Sequence, residues 1–279
     1  MPPVEYAIRE FLHLQYYRTY RAITKARDFI QKFHQKAFEN DSHAPDVGDL
    51  SDHSMLMNSL QLADASRSAV QDLKFTLLRN STNIPFLTCD HPVFHTNRFY
   101  IQRHKALSFG IMSTGCLFYM PLSPKWAAML YDGLAYTVPT KTDLITQVCL
   151  PTDAHLLNGM MVLNADQNLY FSTDIASHIE MINRFRPLRI IDGTITQRYE
   201  QTGEIDGGKQ YEIEGPHTVY PGPGSWLIVT SEEYPRPPKW PKFISFRSPV
   251  KTLYDGSAAG YVRPTARGSG MDGAKLISV

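Results

Sequence analysis

The sequence predicts an α+β protein in which helices pack on a small mixed or antiparallel sheet, followed by a C-terminal β-hairpin region and a flexible tail. Three observations predict this class. Apolar residues recur at helical spacing near the N-terminus, short apolar runs bounded by turn residues follow, and glycine and proline become dense after residue 187. We therefore expect an α+β core domain over residues 1–186, a β-rich extension over 187–250 and a flexible tail over 251–279.

The first half of the chain predicts two helices and a hairpin. Helical periodicity predicts one long helix over residues 4–38 and, after a loop that ends in an N-cap near Ser51 or Asp52, a second helix over 55–72. The apolar runs "KFTLLRN" and "PFLTCD" are interpreted as two paired strands. Residues 92–114 show no clear period and predict a long loop.

The second half predicts further strands and helices. "CLFYMPLSPKWAAMLYDG" predicts two strands broken at "PLSP", because proline cannot donate into a central ladder. Residues 143–171 have helical spacing that Pro151 should interrupt, with Thr152 or Asp153 as the cap of the second piece. A short helix over 175–184, a hairpin around "DGG" at 206–208 and a strand over 226–230 complete the expectation.

Composition narrows the class of protein. The chain has 279 residues, 43% of them hydrophobic, and a net charge of +1, which argues against wholesale attraction to duplex DNA or an anionic membrane. Cys89, Cys116 and Cys149 are widely spaced and form no CxxC pair, as is typical of a reducing compartment. Because no signal peptide and no apolar run of roughly 18 residues is visible, we expect a cytoplasmic protein without a membrane partner.

Several well-known catalytic patterns are missing from the sequence. It contains no P-loop, no glycine-rich dinucleotide fingerprint after a strand, no HExxH and no GxSxG. These absences argue against nucleotide-dependent kinases, Rossmann enzymes, zincins and α/β-hydrolases.

The stretch "FLTCDHPVFH" at 86–95 is the first candidate site. Asp90 and His91 follow an apolar run directly, so they could project from a strand end as a base or as ligands of a metal. The structural alternative is a turn in which the Asp90 carboxylate binds nearby backbone N–H groups and Pro92 fixes the chain direction. The spacing of Cys89, Asp90, His91 and His95 matches no established metal-ligand pattern, so no metal is expected.

Two further segments carry candidate residues. Gln15, Arg18 and Thr19 share one face of a helix, where Arg18 either lies over the core with its guanidinium in solvent or pairs with Asp90 or an anionic ligand. Asn158 is an asparagine inside a predicted helix, so we expect a side-chain hydrogen bond to hold it, either as a structural brace or as a ligand contact.

Four segments together resemble the family catalogued as domain of unknown function 4238. They are "FLHLQYYRT" at 11–19, "FLTCDHPV" at 86–93, "MPLSPKWAAML" at 120–130 and "LLNGMMVLNADQNLYFS" at 156–172, and they cover roughly residues 11–172. The matched positions are Gln15, Arg18, Thr19, Asp90, Pro92, Val93, Pro121, Leu122, Ser123, Pro124, Leu157, Asn158, Asn164 and Ala165.

The resemblance has two departures. Cys89 stands where the family usually has serine, and the family's N-terminal His-Tyr-x-Pro segment is missing. If that histidine takes part in a reaction, the resemblance implies a truncated or inactive member. The family has no assigned activity, so the resemblance names residues without naming a reaction.

The leading hypothesis is a polar cleft in which Gln15, Arg18, Asp90 and Asn158 converge, anchored by an Arg18–Asp90 pair. The expected ligand is an anionic or phosphate-containing small molecule, and the cofactor is unknown. If the protein is an enzyme, we expect a hydrolase. The catalytic residues would be Asp90, Arg18 and His91, and the ligand-binding residues Gln15, Thr19, Asn158 and Asn164.

Two other hypotheses remain open. A non-catalytic module would present the aromatic and basic run "NRFYIQRHK" at 97–105 to a protein or a nucleic acid. Alternatively, a homo-oligomer would cover the exposed flank of the first helix.

Overall fold

The computed structural model describes residues 3–39, 43–140, 144–205, 208–213, 226–254, 260–266 and 275–279. Within these residues the chain is α+β, as predicted, with helices packed on a small mixed sheet. The helices are α1 (Pro3–Tyr17), α2 (Tyr20–Ala37), α3 (Asp52–Ala65), α4 (Pro151–Asn164) and α5 (Ile179–Phe185). Among the described residues, no helix has both the length and the apolar content that crossing a bilayer requires.

The strands are short and are numbered in chain order. They are β1 (Lys74–Asn80), β2 (Thr88–Cys89), β3 (Phe94–Asn97), β4 (Cys116–Ser123), β5 (Trp126–Tyr131), β6 (Tyr136–Thr137), β7 (Ile145–Val148), β8 (Leu169–Tyr170), β9 (Thr194–Ile205), β10 (Gly208–Ile213), β11 (Trp226–Glu232), β12 (Ser245–Phe246), β13 (Lys251–Tyr254) and β14 (Lys275–Ser278).

The central sheet has five strands in the order β3-β4-β5-β1-β7. Neighbouring strands run antiparallel except β1 and β7, which pair in parallel. Along β4, Tyr119 belongs to the apolar cluster that contains residues of α4, and Phe118 belongs to the cluster that contains Leu12 of α1. Since side chains alternate along a strand, the sheet is buried on both faces, and α1 and α4 lie on opposite sides of it.

Strand pairing differs from the predicted hairpin of "KFTLLRN" and "PFLTCD". β1 pairs with β5 and β7, whereas the two-residue strand β2 pairs with β8. Local apolar runs mark where strands form, but the partner of each strand is chosen by long-range packing. The two strands predicted around "PLSP" are confirmed as β4 and β5, although β4 continues through Pro121 to Ser123. The two strands pair antiparallel, and in the turn between them the Ser123 hydroxyl accepts the N–H groups of Lys125 at 3.3 Å and Trp126 at 3.1 Å.

The predicted first helix is two helices rather than one. α1 ends at Tyr17, and α2 begins at Tyr20 with Thr19 as its N-cap. The Thr19 hydroxyl accepts the N–H of Ala22 at 3.3 Å, which satisfies a donor that the helix start leaves free. This break places Arg18 and Thr19 in a corner of the chain. The cap predicted for the next helix is confirmed, because the Ser51 hydroxyl accepts the N–H of Ser54 at 3.3 Å.

Three other local predictions are corrected by the structure. The second helix ends at Ala65, and a 3-10 turn over Arg67–Val70 follows it. Residues 92–114 contain strand β3 and a π-helix over Tyr100–His104 instead of a long loop. The segment after residue 143 forms β7 before α4 begins at Pro151, because proline suits the first turn of a helix.

The expected cap of α4 is also wrong. The N-cap position is Leu150, which makes no side-chain cap bond, and the Asp153 carboxylate instead accepts the N–H of Lys242 at 3.0 Å. The short helix predicted over 175–184 is confirmed as a 3-10 turn over Ile175–His178 followed by α5.

The C-terminal region forms strands that pack on the rest of the chain. β9 pairs with β10, as the alternating sequence predicts, and on its other edge with β11. α2 lies against both β9 and β11. The turn predicted at 206–208 lies largely outside the described residues. The division of the chain at residues 186 and 250 stays a prediction.

The predicted flexible tail from residue 251 differs from the structure in its described residues. β13 pairs with β14, and Leu253 exchanges backbone hydrogen bonds with Val262 at 2.8 and 3.0 Å. Arg263 is fully buried and its guanidinium forms an ion pair with Asp72, with Nε 2.9 Å from Oδ2. Composition indicated a tail because small residues dominate the segment, but a few buried side chains hold it to the core.

Candidate functional site

A cleft of about 670 Å³ opens at the corner between α1 and α2. We call it the Arg18 cleft. Among its lining residues are Gln15, Arg18, Thr19, Cys89, Asp90 and Pro92. The structure therefore brings the Gln-x-x-Arg-Thr segment and the end of β2 to one place, although 70 residues separate them in sequence.

Asp90 is held by the turn that follows α4. Its Oδ1 accepts the N–H of Asp166 at 2.9 Å, and its Oδ2 accepts the N–H groups of Gln167 at 2.8 Å and Asn168 at 2.9 Å. Burial alone raises the pKa of Asp90, but these backbone donors outweigh it and hold the pKa below its ordinary value. The carboxylate is therefore ionised and hydrogen-bonded to backbone, as in the structural alternative, although its partners lie in a distant turn.

Arg18 is the exposed cation of the cleft. Its guanidinium forms no hydrogen bond or ion pair with any residue that the structure describes, and the expected pair with Asp90 is not formed. The physical reason is that the lone pairs of Asp90 are directed at the 166–168 turn. A solvated arginine at the rim of a cleft keeps its five N–H donors available.

Gln15 lies beside Arg18 on the cleft wall. It is half-buried, and its Oε1 has no hydrogen-bond partner among the described residues. A sealed amide oxygen without a partner is costly, so the end of this side chain has unmet hydrogen-bonding capacity.

Asn158 does not converge with the other three residues, contrary to expectation. Its Oδ1 accepts the N–H of Leu87 at 3.1 Å, and its Nδ2 donates to the carbonyl of Pro85 at 2.9 Å. The side chain is fully buried within α4 and does not line the Arg18 cleft. Asn158 is thus a brace between α4 and the segment that leads into β2.

Asn164 braces the other side of the same segment. Its Nδ2 donates to the carbonyls of His91 and of Val93, the latter at 3.0 Å. It is buried and does not line the cleft. Ligand binding by Asn164 stays a prediction. Its amide N–H groups already donate to carbonyls within the fold.

His91 turns away from the Arg18 cleft and lines a second cavity. Its Nδ1 is 2.5 Å from the Thr19 hydroxyl oxygen, and only 2% of the residue is exposed. Burial, with the positive charges of Lys25 and Arg21, holds the pKa of His91 well below its ordinary value. Asp90 and His91 lie in the bend that follows β2, and their side chains line different cavities.

The sulfur and imidazole groups nearby are buried in the fold. Cys89 Sγ lies 3.1 Å from the carbonyl oxygen of His91, and burial raises the pKa of its thiol to about 12. His95 stacks on Phe118 with ring centroids 4.8 Å apart, and burial lowers its pKa to about 3. Among the described residues, no three His, Cys, Asp or Glu side chains come together in a group that could hold a metal ion.

Two arginines near the site, Arg21 and Arg189, lie outside the sequence motifs that predicted it. Arg21 donates to the carbonyls of Asn164 and Ala165, both at 3.1 Å, and Arg189 donates to the carbonyl of Asp166 at 2.8 Å. Both cations lie at the C-terminus of α4, where the helix dipole favours positive charge. Sequence reasoning missed them because their partners are backbone atoms of a distant segment.

The segment 97–105 does not present its aromatic rings to solvent, so that expectation is wrong. Phe99 is fully buried and Tyr100 is 7% exposed. Arg98 and Arg103 lie over the ring of Phe246, at 4.8 and 4.6 Å from its centroid. Phe99 and Tyr100 belong to the apolar core, so their rings are not available to stack on nucleic-acid bases.

The sequence model of the family described as protein of unknown function DUF4238 matches residues 2–174. The chain belongs to this family. The match contains α1 to α4 and the whole central sheet, together with the Gln15, Arg18 and Asp90 positions of the cleft. No curated protein and no solved structure matches the chain.

Proposed function

We propose that this protein binds a small anion, a molecule that carries a phosphate or carboxylate group, in the Arg18 cleft and does not hydrolyse it. One observation carries the proposal. The Arg18 guanidinium lines the cleft without an acidic partner among the described residues, while the carboxylate beside it is committed to backbone donors.

The chemistry of the cleft fits an anion with an apolar portion. A guanidinium offers a planar fork of N–H donors that matches the oxygens of phosphate or carboxylate. Leu14, Leu56 and Leu60 also line the cleft and would contact the apolar portion, and its volume of about 670 Å³ is within the usual range for small-molecule sites.

The negative charge of Asp90 does not prevent this binding. Its oxygens face the N–H groups of residues 166–168, and Arg189 lies close enough to interact with it electrostatically. The negative charge of Asp90 is thereby partly offset. Arg18 is left as the cationic group that an incoming anion meets.

Hydrolysis is less well supported than binding. A general base needs a free lone pair near the reacting proton and a pKa near neutrality. Asp90 has a lowered pKa and occupied oxygens, and the pKa of Cys89 is raised to about 12. His91 lines a different cavity. These features argue for a receptor site without a reacting group.

Isothermal titration calorimetry with phenyl phosphate tests the proposal. We expect saturable binding, and the Arg18→Met variant should bind at least ~10-fold more weakly, a loss of about 1.4 kcal/mol. Arg186→Met, which removes an exposed arginine outside the cleft, is the matched control and should bind like the unmodified protein.

Two results would overturn the proposal. One is equal affinity in the unmodified protein and the Arg18→Met variant. The other is release of inorganic phosphate from phenyl phosphate at a rate that falls in the Asp90→Asn variant, because that would make Asp90 a reacting group.

A further inference from the structure

A second cavity of about 420 Å³ lies between α2, α3 and the end of β11. We call it the His91 cavity, and it shares no lining residue with the Arg18 cleft. Its wall includes Tyr16, Lys25, Phe29, His91, Glu232 and Tyr234. Phe29 is 47% exposed, so the cavity reaches solvent at this edge.

One ring nitrogen of His91, Nδ1, is hydrogen-bonded to Thr19, and the other, Nε2, has no partner among the described residues. The Thr19 hydroxyl oxygen lies 2.5 Å from His91 Nδ1, and we take the hydroxyl as the donor of this hydrogen bond. That arrangement leaves the ring proton on Nε2. Nε2 makes no hydrogen bond with a described residue and is not sealed from water, so this N–H is open to the cavity that His91 lines.

Several other polar groups of the wall already have partners within the fold. The Tyr16 hydroxyl lies 3.1 Å from the Tyr234 hydroxyl and 3.4 Å from His95 Nδ1. Lys25 forms an ion pair with Glu232, so the two charges on the wall cancel. A charged ligand would therefore find no unpaired counter-ion here.

Most of the remaining wall is apolar. It is formed by Ala22, Ala26, Phe29, Ile30, Leu62 and Ile111. Binding pockets of this kind take an apolar molecule and orient it with a few polar groups. In this cavity the open polar groups are the exposed amide of Asn58 and the N–H of His91, a histidine that is almost wholly buried.

We propose that the His91 cavity is a second binding site, which takes an uncharged and largely apolar small molecule with one hydrogen-bond acceptor that receives the Nε2–H of His91. A carbonyl oxygen is an acceptor of this kind. Because an unpaired buried donor is costly, the site favours ligands that carry the acceptor over those that lack it. The proposal does not depend on the anion site, since neither cavity shares a wall residue with the other.

Fluorescence titration with 6-propionyl-2-(dimethylamino)naphthalene tests the proposal, because this probe is uncharged, apolar and carries a carbonyl whose emission reports hydrogen bonding. We expect saturable binding that inorganic phosphate does not displace. Ala26→Trp, which fills the cavity, should abolish it, whereas Leu60→Trp on the wall of the Arg18 cleft should leave it unchanged.

The role of His91 is tested with His91→Phe and with a second probe, 2-(dimethylamino)naphthalene, which lacks the carbonyl. We expect His91→Phe to bind the first probe roughly 10-fold more weakly than the unmodified protein does. The unmodified protein should bind the second probe more weakly than the first, by a similar factor. The second comparison needs no variant, so it holds even if His91→Phe does not fold. Undiminished binding in Ala26→Trp, or equal affinity for the two probes, would overturn the proposal.

Discussion

Replacing Asp90 by asparagine tests whether this carboxylate serves to hold the turn after α4. In the structure its two oxygens accept three backbone N–H groups, from Asp166, Gln167 and Asn168, at 2.8–2.9 Å. Asparagine offers one oxygen and one NH2 group. The NH2 group would face backbone donors, so at least one hydrogen bond is lost. The remaining bonds are weaker because their acceptor is no longer charged.

The expected cost follows from these contacts. A hydrogen bond to a charged group contributes about 1.5–3 kcal/mol, and Asp90 is half-buried, so solvent screening reduces the charged part. We expect the free energy of unfolding to fall by about 2–4 kcal/mol. Because the pKa of Asp90 is lowered in the folded state, this stabilisation is present above about pH 4 and is lost as the pH falls through the folded value.

Urea unfolding followed by far-UV circular dichroism at pH 7 and at pH 3 provides the measurement. Asp28→Asn is the matched control, because the Asp28 carboxylate makes no hydrogen bond or ion pair with a described residue. The gap between the unmodified protein and Asp90→Asn should narrow at the lower pH. A loss at pH 7 no larger than that of Asp28→Asn would refute the structural role of Asp90.

Three further substitutions test other parts of the structure. Arg263→Met should lower the free energy of unfolding by about 3–5 kcal/mol, because Asp72 is left without its buried partner. A loss below ~1 kcal/mol in urea unfolding would contradict the observed packing of the C-terminal segment. His95 has its pKa lowered to about 3 by burial, so stability is fully present above the unfolded value of about 6.5 and declines by up to ~1.4 kcal/mol per pH unit below it. His95→Phe should flatten that decline between pH 7 and pH 5, and an unchanged slope would show that His95 is not buried neutral. Asn158→Leu should cost about 2–4 kcal/mol, since it leaves the Leu87 N–H and the Pro85 carbonyl unpaired, and near-unmodified stability would show that this brace is dispensable.

Local chemistry explains what the sequence predicted correctly. Turn-forming residues marked the two strands around "PLSP" and the pairing of β9 with β10, and both are confirmed. The break between α1 and α2 also had a signal, since the regular apolar spacing lapses between Leu12 and Ala22 and Thr19 is a good N-cap. Because helical spacing is present on both sides of the break, the sequence was interpreted as one helix.

Long-range contacts account for what the sequence did not predict. Nothing near Asp90 in sequence identifies residues 166–168 as its partners, and nothing near Arg263 identifies Asp72. Three of the residues expected to converge, Gln15, Arg18 and Asp90, line one cleft in the structure, and ordered motifs had linked them. The fourth residue, Asn158, also came from these motifs, but it is buried within α4 and lies away from the cleft.

The available guanidinium of Arg18 is the central claim of this account, and nuclear magnetic resonance tests it most directly. Arginine Nε–H resonances would be followed while phenyl phosphate is added to the unmodified protein, with Arg18→Met used to assign the Arg18 signal. We expect that signal to shift saturably, with the same midpoint as the calorimetric titration. Saturable binding with an unshifted Arg18 signal would contradict the account, because the anion would then bind elsewhere.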